Sequence, residues 1–142
     1  MNVYADSSFL VSGYVNDIHS AEVARRMKGR PSVCVTPLNR TELLHALSQY
    51  VFRGVFAEPD ARQYWSEFED DCAKGVWIKV DIPDEAWETS VDLARRFGPT
   101  LGVRTLDSLH VACALELGAQ RFWTFDERQA RLAEAVGLHT TP

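Results

Sequence analysis

Short runs of β-branched and aromatic residues alternate along the chain with stretches of helical periodicity, and this alternation limits the folds that the chain can adopt. The predicted strands cover residues 2–5, 32–36, 76–80 and 121–125. Helical segments separate them, and a long crossover of that kind is what two parallel neighbouring strands require. The pattern therefore predicts an α/β fold with a mainly parallel central sheet.

The predicted helices lie between and after these strands. They span residues 20–28, 38–53, 60–73, 83–97, 106–117 and 126–135. Pro83 opens the fourth helix, and Gly98 with Pro99 is predicted to end it, which leaves residues 100–104 as a connector. The segment 106–117 has almost no polar face, which is typical of a buried helix.

The length of 142 residues fits one domain, and no linker or repeat divides the chain, so residues 1–142 are predicted to form a single domain. No apolar run approaches the ~20 residues needed to cross a bilayer. The first strand begins at residue 2, which leaves no room for a signal peptide and predicts a cytoplasmic protein. Cys34, Cys72 and Cys113 lie far apart, so neither a disulfide framework nor a zinc site is predicted.

Acidic residues stand at several of the predicted junctions between strands and helices. Asp6 ends the first strand, Asp126 follows the last one, Asp107 begins the buried helix, and Glu42 lies early in the helix after the second strand. Ligands of parallel α/β sheets bind outside the carboxyl ends of the strands. We therefore expect these four side chains to share one edge of the sheet.

Each acid also has a purely structural interpretation. Asp107 and Asp126 can cap their helices, the latter with Gln129 at capping-box spacing, and such a cap contributes about 0.5 to 2 kcal/mol. Asp6 can form an Asx turn. Glu42 lies off the apolar stripe of its helix and can be a solvated carboxylate. Taken singly, each acid is explained in this way at least as well as by a functional site.

Together the four carboxylates predict a cation. Two carboxylates ~5 Å apart repel each other by about 3 kcal/mol at an effective dielectric constant of ~20. Protons or a hard divalent cation relieve that repulsion, and Mg²⁺ or Mn²⁺ prefers carboxylate oxygens. A bound cation would also supply the local positive charge that a chain with a net charge of −5 lacks for phosphate. The cluster thus indicates metal-dependent cleavage of phosphodiester bonds.

The ordered motifs resemble the PIN-domain nucleases, and among them the short VapC-type toxins of toxin–antitoxin pairs. The resemblance spans nearly the whole chain and rests on four segments: Tyr4-Ala5-Asp6-Ser7-Ser8, Asn39-Arg40-Thr41-Glu42-Leu43, Leu106-Asp107-Ser108-Leu109-His110-Val111-Ala112 with Gly118-Ala119, and Thr124-Phe125-Asp126. It implies a single α/β/α domain that cleaves RNA with the help of Mg²⁺ or Mn²⁺. It also implies a homodimer and a cognate antitoxin, and only the antitoxin would contact DNA.

The resemblance implies a role for each site residue. Asp6, Asp107 and Asp126 would bind the metal, and Glu42 would orient or deprotonate the attacking water. Ser7 and Thr124 would donate hydrogen bonds that hold the carboxylates in place.

Other polar and aromatic residues have simpler interpretations. His110 is isolated in an apolar helix and is predicted to be a core residue, not a zinc ligand. The four tryptophans at positions 65, 77, 87 and 123 lie in periodic apolar segments and are predicted to pack in the core. Basic residues between 25 and 30 form a solvated face, whereas Arg104 and Arg128 flank the acidic junctions.

Three alternative functions compete with this interpretation. A phospho-receiver domain needs a lysine after a late strand, and no lysine follows Lys79, which argues against that class. A catalytically silent PIN-like module that binds RNA or regulates, or a PIN-type nuclease of RNA processing, would carry the same ligands. Turnover separates a silent module from an enzyme, and a short antitoxin gene next to this one separates a toxin from an RNA-processing nuclease.

Overall fold

The computed structural model describes residues 2–142, so Met1, the first residue of the predicted domain, lies outside the described part. Its strands are β1 (Asn2–Ala5), β2 (Ser32–Val35), β3 (Trp77–Lys79) and β4 (Arg121–Trp123). They form one sheet in the order β3-β2-β1-β4, and each neighbouring pair is parallel. The parallel sheet confirms the predicted α/β class.

The helices of the described residues surround this sheet. They are α1 (Ser7–Tyr14), α2 (Ser20–Met27), α3 (Pro37–Phe52), α4 (Glu58–Ala73), α5 (Glu85–Leu101), α6 (Thr105–Glu116) and α7 (Glu127–Ala135). Within residues 2–142, none of them has the length and continuous apolar character that a bilayer crossing requires.

Apolar side chains on the two faces of the sheet form two separate cores. In the first core, Val3 and Ala5 of β1 pack with Leu43 and Leu47 of α3. Tyr4 points to the other face and packs in the second core, among residues of α5, α6 and α7. This alternation follows from the two-residue period of a strand. The result is the predicted three-layer α/β/α arrangement.

Helix α1 is absent from the elements predicted from the sequence. Its segment Ser7–Tyr14 contains β-branched, aromatic and glycine residues, which have modest helix propensity. Tertiary packing overrides that propensity, because Phe9 and Leu10 are fully buried in the first core. The Asp6 side chain begins the helix by accepting a hydrogen bond from the Phe9 amide.

The predicted end of α5 at Gly98-Pro99 is wrong, because the helix continues to Leu101. Pro99 lacks an N–H for the carbonyl of Arg95, but both residues are exposed, so water is close to that carbonyl. Gly98 has no Cβ to clash with the proline ring. Packing of Phe97 and Leu101 against the second core stabilises the helix beyond Pro99. Gly102 ends the helix and has a φ of 65°.

Two smaller predictions also need correction. β2 ends at Val35 and β4 at Trp123, one and two residues before their predicted ends, because Thr36 and Asp126 are the N-caps of the next helices. Trp87 is 55% exposed and does not pack in the core, whereas Trp77 and Trp123 are buried as predicted.

Candidate active site

The strand order creates a crevice at the carboxyl edge of the sheet. From β1 the chain continues to β2 on one side, whereas β4 lies on the other side. Connections that diverge from neighbouring strands leave a crevice between them, where α/β proteins bind ligands. A cavity of about 420 Å³ lies there. Its lining includes all four predicted acids, Asp6, Glu42, Asp107 and Asp126.

Asp6 is held in the cavity by three hydrogen bonds. Its Oδ1 accepts hydrogen bonds from Ser8 Oγ at 2.7 Å and from the Phe9 amide at 3.1 Å. Its Oδ2 accepts one from Thr124 Oγ1 at 2.8 Å. Burial raises the pKa of Asp6 above its ordinary value, and these hydrogen bonds only partly oppose that rise. A charge at this position is therefore incompletely compensated by the protein.

Asp107 and Asp126 cap helices and line the cavity at the same time. Asp107 Oδ2 accepts a hydrogen bond from the Arg104 amide at 2.9 Å, in the first turn of α6. Asp126 Oδ1 accepts bonds from the amides of Arg128 and Gln129 at 2.9 and 3.0 Å. The capping interpretation and the site interpretation are therefore compatible, because the caps orient the carboxylates.

Gln129 and Arg104 connect the two carboxylates. Gln129 Nε2 donates to Asp107 Oδ1 at 3.2 Å, although the sequence suggested a capping box with Asp126. Arg104 Nε lies 3.5 Å from Asp107 Oδ2, and its Nη2 lies 3.9 Å from Asp126 Oδ2. The Arg104 side chain is 70% exposed, so these ion pairs are screened by water.

Glu42 enters the cavity from α3. Its Oε1 accepts a hydrogen bond from Ser7 Oγ at 2.8 Å and bonds to His110 Nε2. Burial raises the pKa of Glu42, but its interaction with His110 and the hydrogen bond from Ser7 outweigh burial, so the pKa lies below its ordinary value. Glu42 is thus held ionised.

The orientation of α3 depends on Asn39. Asn39 Nδ2 donates to the carbonyl of Ala5 at 2.8 Å, and its Oδ1 accepts from the Thr36 amide at 2.8 Å. These bonds tie the first turn of α3 to the end of β1. Glu42, one turn further on, is thereby carried to the cavity that Asp6 lines.

The structure brings together all of the site residues predicted from the sequence. Both predicted donors bond to carboxylates, Thr124 to Asp6 and Ser7 to Glu42. Ser8, which was not predicted, also donates to Asp6. His110, Gln129 and Asn39 were missed as members of this network. The three-residue spacing of Asp107 and His110, which puts both on one helix face, was the available signal for His110.

The chemistry of these donors fits a hard divalent cation. Among residues 2–142, no group of three or more His, Cys, Asp or Glu side chains is arranged to ligate a metal ion directly. Mg²⁺, however, keeps several of its waters and is usually held through one or two carboxylates. Gln129 Oε1 is buried, accepts no hydrogen bond from residues 2–142, and offers an acceptor to such a water shell.

The family model of the PIN domain matches residues 3–135. The chain belongs to the PIN-domain family. The match covers the segments that carry all four cavity carboxylates. No curated protein is matched significantly in sequence.

Three solved structures share the fold of this PIN domain at low sequence identity. VapC20 of Mycobacterium tuberculosis, described as a sarcin-ricin loop cleaving toxin, has a TM-score of 0.73 and 14% identity and covers 99% of both chains. VapBC2 of Rickettsia felis, bound to a promoter DNA fragment, has a TM-score of 0.69 and 12% identity, with 99% of this chain and 98% of that chain covered. FitAcB of Neisseria gonorrhoeae has a TM-score of 0.68 and 9% identity, with 99% and 96% covered.

Proposed function

We propose that this PIN domain is an Mg²⁺- or Mn²⁺-dependent endoribonuclease that acts as a toxin and is neutralised by a cognate antitoxin. The observation that carries the proposal is the cavity in which Asp6, Glu42, Asp107 and Asp126 meet from four separate segments of the chain. Such a cluster of carboxylates is suited to a divalent cation and a phosphodiester substrate. The description of VapC20 as a sarcin-ricin loop cleaving toxin supports this choice.

In this proposal Asp6, Asp107 and Asp126 hold the metal. When bound, the ion supplies positive charge for the scissile phosphate and lowers the pKa of water. The chain itself keeps the ligands in place, because Thr124 and Ser8 fix Asp6 and Gln129 fixes Asp107. Preorganised ligands of this kind avoid the cost of reorganisation during the reaction.

Glu42 is proposed to orient and deprotonate the attacking water. The carboxylate must be ionised for this role, and its lowered pKa meets that requirement. Both Ser7 and His110 bond to Oε1. Oε2 is therefore the oxygen that can accept the proton of the water.

The partners in this proposal are RNA, an antitoxin protein and a second copy of the chain. The VapBC2 structure with its promoter DNA supports an antitoxin that contacts DNA on behalf of the complex. RNA and antitoxin would both be met in the cytoplasm. Co-expression with the neighbouring short reading frame, followed by light scattering, should show a complex with two copies of this chain.

The direct test measures cleavage of cellular RNA by the purified chain. Cleavage should require Mg²⁺ or Mn²⁺ and stop with EDTA. Asp107→Asn should lower kcat by at least ~100-fold, as loss of one preorganised electrostatic group does. Glu116→Gln, an exposed substitution in the same helix, is the control and should cleave like wild type.

Other outcomes point to the alternatives. RNA binding without cleavage under any metal condition would indicate a silent PIN-like module. Efficient metal-dependent cleavage by a chain that no neighbouring gene product inhibits would indicate an RNA-processing nuclease. Mapping the cut sites would then identify the RNA.

A further inference from the structure

His110 joins the buried core to the candidate active site. The residue is 1% exposed, and both of its ring nitrogens meet side chains of other elements. Nδ1 lies 2.7 Å from the hydroxyl of Tyr4 on β1, and Nε2 bonds to Glu42 Oε1 on α3. Since the ring is almost fully shielded from water, the hydrogen bonds to these two side chains determine which nitrogen carries its proton.

The distances around Tyr4 assign the proton. The Tyr4 hydroxyl lies 3.4 Å from Asn39 Oδ1, which already accepts the Thr36 amide at 2.8 Å. Nδ1, at 2.7 Å, is the nearer of the two acceptors, and this distance favours donation from the hydroxyl to Nδ1. A neutral imidazole that accepts at Nδ1 carries its hydrogen on Nε2. That hydrogen then points to Glu42, an acceptor when it is ionised.

We propose that His110 is a positioning residue that, in the tautomer imposed by Tyr4, holds the Glu42 carboxylate in place for the attacking water. The inference rests on the proposed function, since it assigns a partner to the residue that activates water. The hydrogen bonds from Tyr4 through His110 to Glu42 run from the second core to the cavity. They restrain Glu42 at Oε1, where Ser7 supplies a second hydrogen bond.

Packing alone does not explain the residue. An apolar side chain would fill the same volume in α6 without the cost of burying two polar nitrogens. Here both nitrogens are satisfied, and the partner of one of them lines the acidic cavity. In metal sites, removal of a hydrogen-bond partner of this kind lowers activity by about 10- to 100-fold.

The first measurement is the tautomer, read from the ¹⁵N shifts of His110 by NMR on the full chain. The expected result is a neutral ring protonated at Nε2. Tyr4→Phe retains the aromatic ring and removes only the hydroxyl, and it should shift the population away from that tautomer. A ring protonated at Nδ1 in wild type would overturn the inference, and this readout does not depend on RNA cleavage.

The second measurement is a double-mutant cycle for RNA cleavage. His110→Ala should lower kcat about 10- to 100-fold with an unchanged KM, and His110→Gln, which keeps an N–H donor, should retain more kcat. In a Glu42→Gln background, His110→Ala should have no further effect, because the group that it positions is gone. His45→Ala, an exposed histidine on α3, is the control.

The outcomes separate this inference from the proposed function. If His110→Ala lowers kcat by the same factor in the wild-type and Glu42→Gln backgrounds, the inference is overturned, because the histidine would then act independently of Glu42. If His110→Ala fails to fold, Tyr4→Phe replaces it in the same cycle. A wild-type chain that cleaves no RNA would overturn the proposed function, and the tautomer measurement would still test the hydrogen-bond chain.

Discussion

The carboxylates of the cavity differ in how the protein compensates their charge. Glu42 has His110 and Ser7 as donors, and its pKa is lowered. Asp6 is 3% exposed and its pKa is raised, because its hydrogen bonds do not offset burial. Asp6 therefore carries a charge that the protein does not fully compensate, which makes this residue a suitable reporter of metal binding.

Asp6→Asn should remove a pH dependence from the stability of the metal-free protein. Because the pKa of Asp6 is raised in the folded protein, there is a pH range in which the folded state keeps the carboxyl proton and the unfolded chain has lost it. In EDTA, wild-type stability should therefore fall as the pH rises from the ordinary Asp range through the raised pKa. The stability of Asp6→Asn should not show that fall. Any stability that is lost at acid pH because Glu42 becomes protonated should be lost in both proteins.

Melting temperatures from pH 4 to 8, with EDTA or Mg²⁺, would measure this difference. Mg²⁺ at 100 times its Kd should stabilise wild type by about 2.7 kcal/mol and Asp6→Asn much less. Asp92→Asn, in an exposed ion pair of α5, should behave like wild type. Parallel pH profiles for wild type and Asp6→Asn would contradict the assigned environment.

Among the helices, α5 shows how the end of an element is decided. Its sequence carries a helix-ending pair at Gly98 and Pro99, yet the helix ends only at Gly102, which adopts a φ of 65°. The Gly102 amide donates to the carbonyl of Gly98 at 2.9 Å. A positive φ is unfavourable for any residue with a Cβ, so this glycine is required by the backbone.

Gly102→Ala should destabilise the protein by about 1 to 2 kcal/mol, the cost of a left-handed conformation for a residue with a Cβ. A methyl group at this position would meet no atom within 4 Å, so the loss would be purely conformational. Gly29→Ala is the matched control, because that site is equally open and has no positive φ. It should be neutral or stabilising by up to about 1 kcal/mol.

Urea denaturation of the three proteins would measure these free energies of unfolding. Equal effects of the two substitutions would show that the backbone conformation at residue 102 does not limit stability. RNA cleavage by Gly102→Ala would show in addition whether the link into α6, which carries Asp107, tolerates the change.

For the molecule as a whole, the charge distribution matters more than the net charge of −5. A second cavity of about 370 Å³ shares Arg104 and Asp126 with the acidic cavity and is also lined by Arg128 and Arg131. Arg104 and Arg131 are 70% and 68% exposed, so their guanidinium groups are accessible to a ligand. Arg104, Arg128 and Arg131 form a basic rim beside the acidic cavity, and in the proposed nuclease this rim offers cations to the RNA backbone next to the cut site.

Replacement of Arg128 and Arg131 by alanine should weaken RNA binding and raise KM, with little change in kcat. The slope of log affinity against log salt should become shallower by about 0.7 for each phosphate that the variant no longer neutralises. Fluorescence anisotropy over a salt series would measure both effects. Arg25→Ala with Lys28→Ala is the control, because neither residue lines the two cavities; an equal effect of the control pair would contradict a local role of the rim.

The parallel α/β class and the convergence of the acids could be predicted from the sequence for a physical reason. Strand and helix periods are local, and the carboxyl ends of parallel strands meet at one edge whatever the details of packing. Asp6, Asp107 and Asp126 lie at such ends or at helix starts, and Glu42 follows within two turns of one. Their roles in catalysis stay a prediction.

Helix α1, the course of α5 past Pro99 and the network behind the acids depended on tertiary contacts. Burial of Phe9 and Leu10 stabilises α1 against its weak propensity, and no local pattern reports that burial. His110 has the sequence surroundings of a core residue, and it is one. Its second property, the bond to Glu42 across 68 residues of chain, exists only because β1 and α3 fold against α6. Local periodicity encodes the elements, whereas hydrogen bonds between distant segments arise only from the folded arrangement.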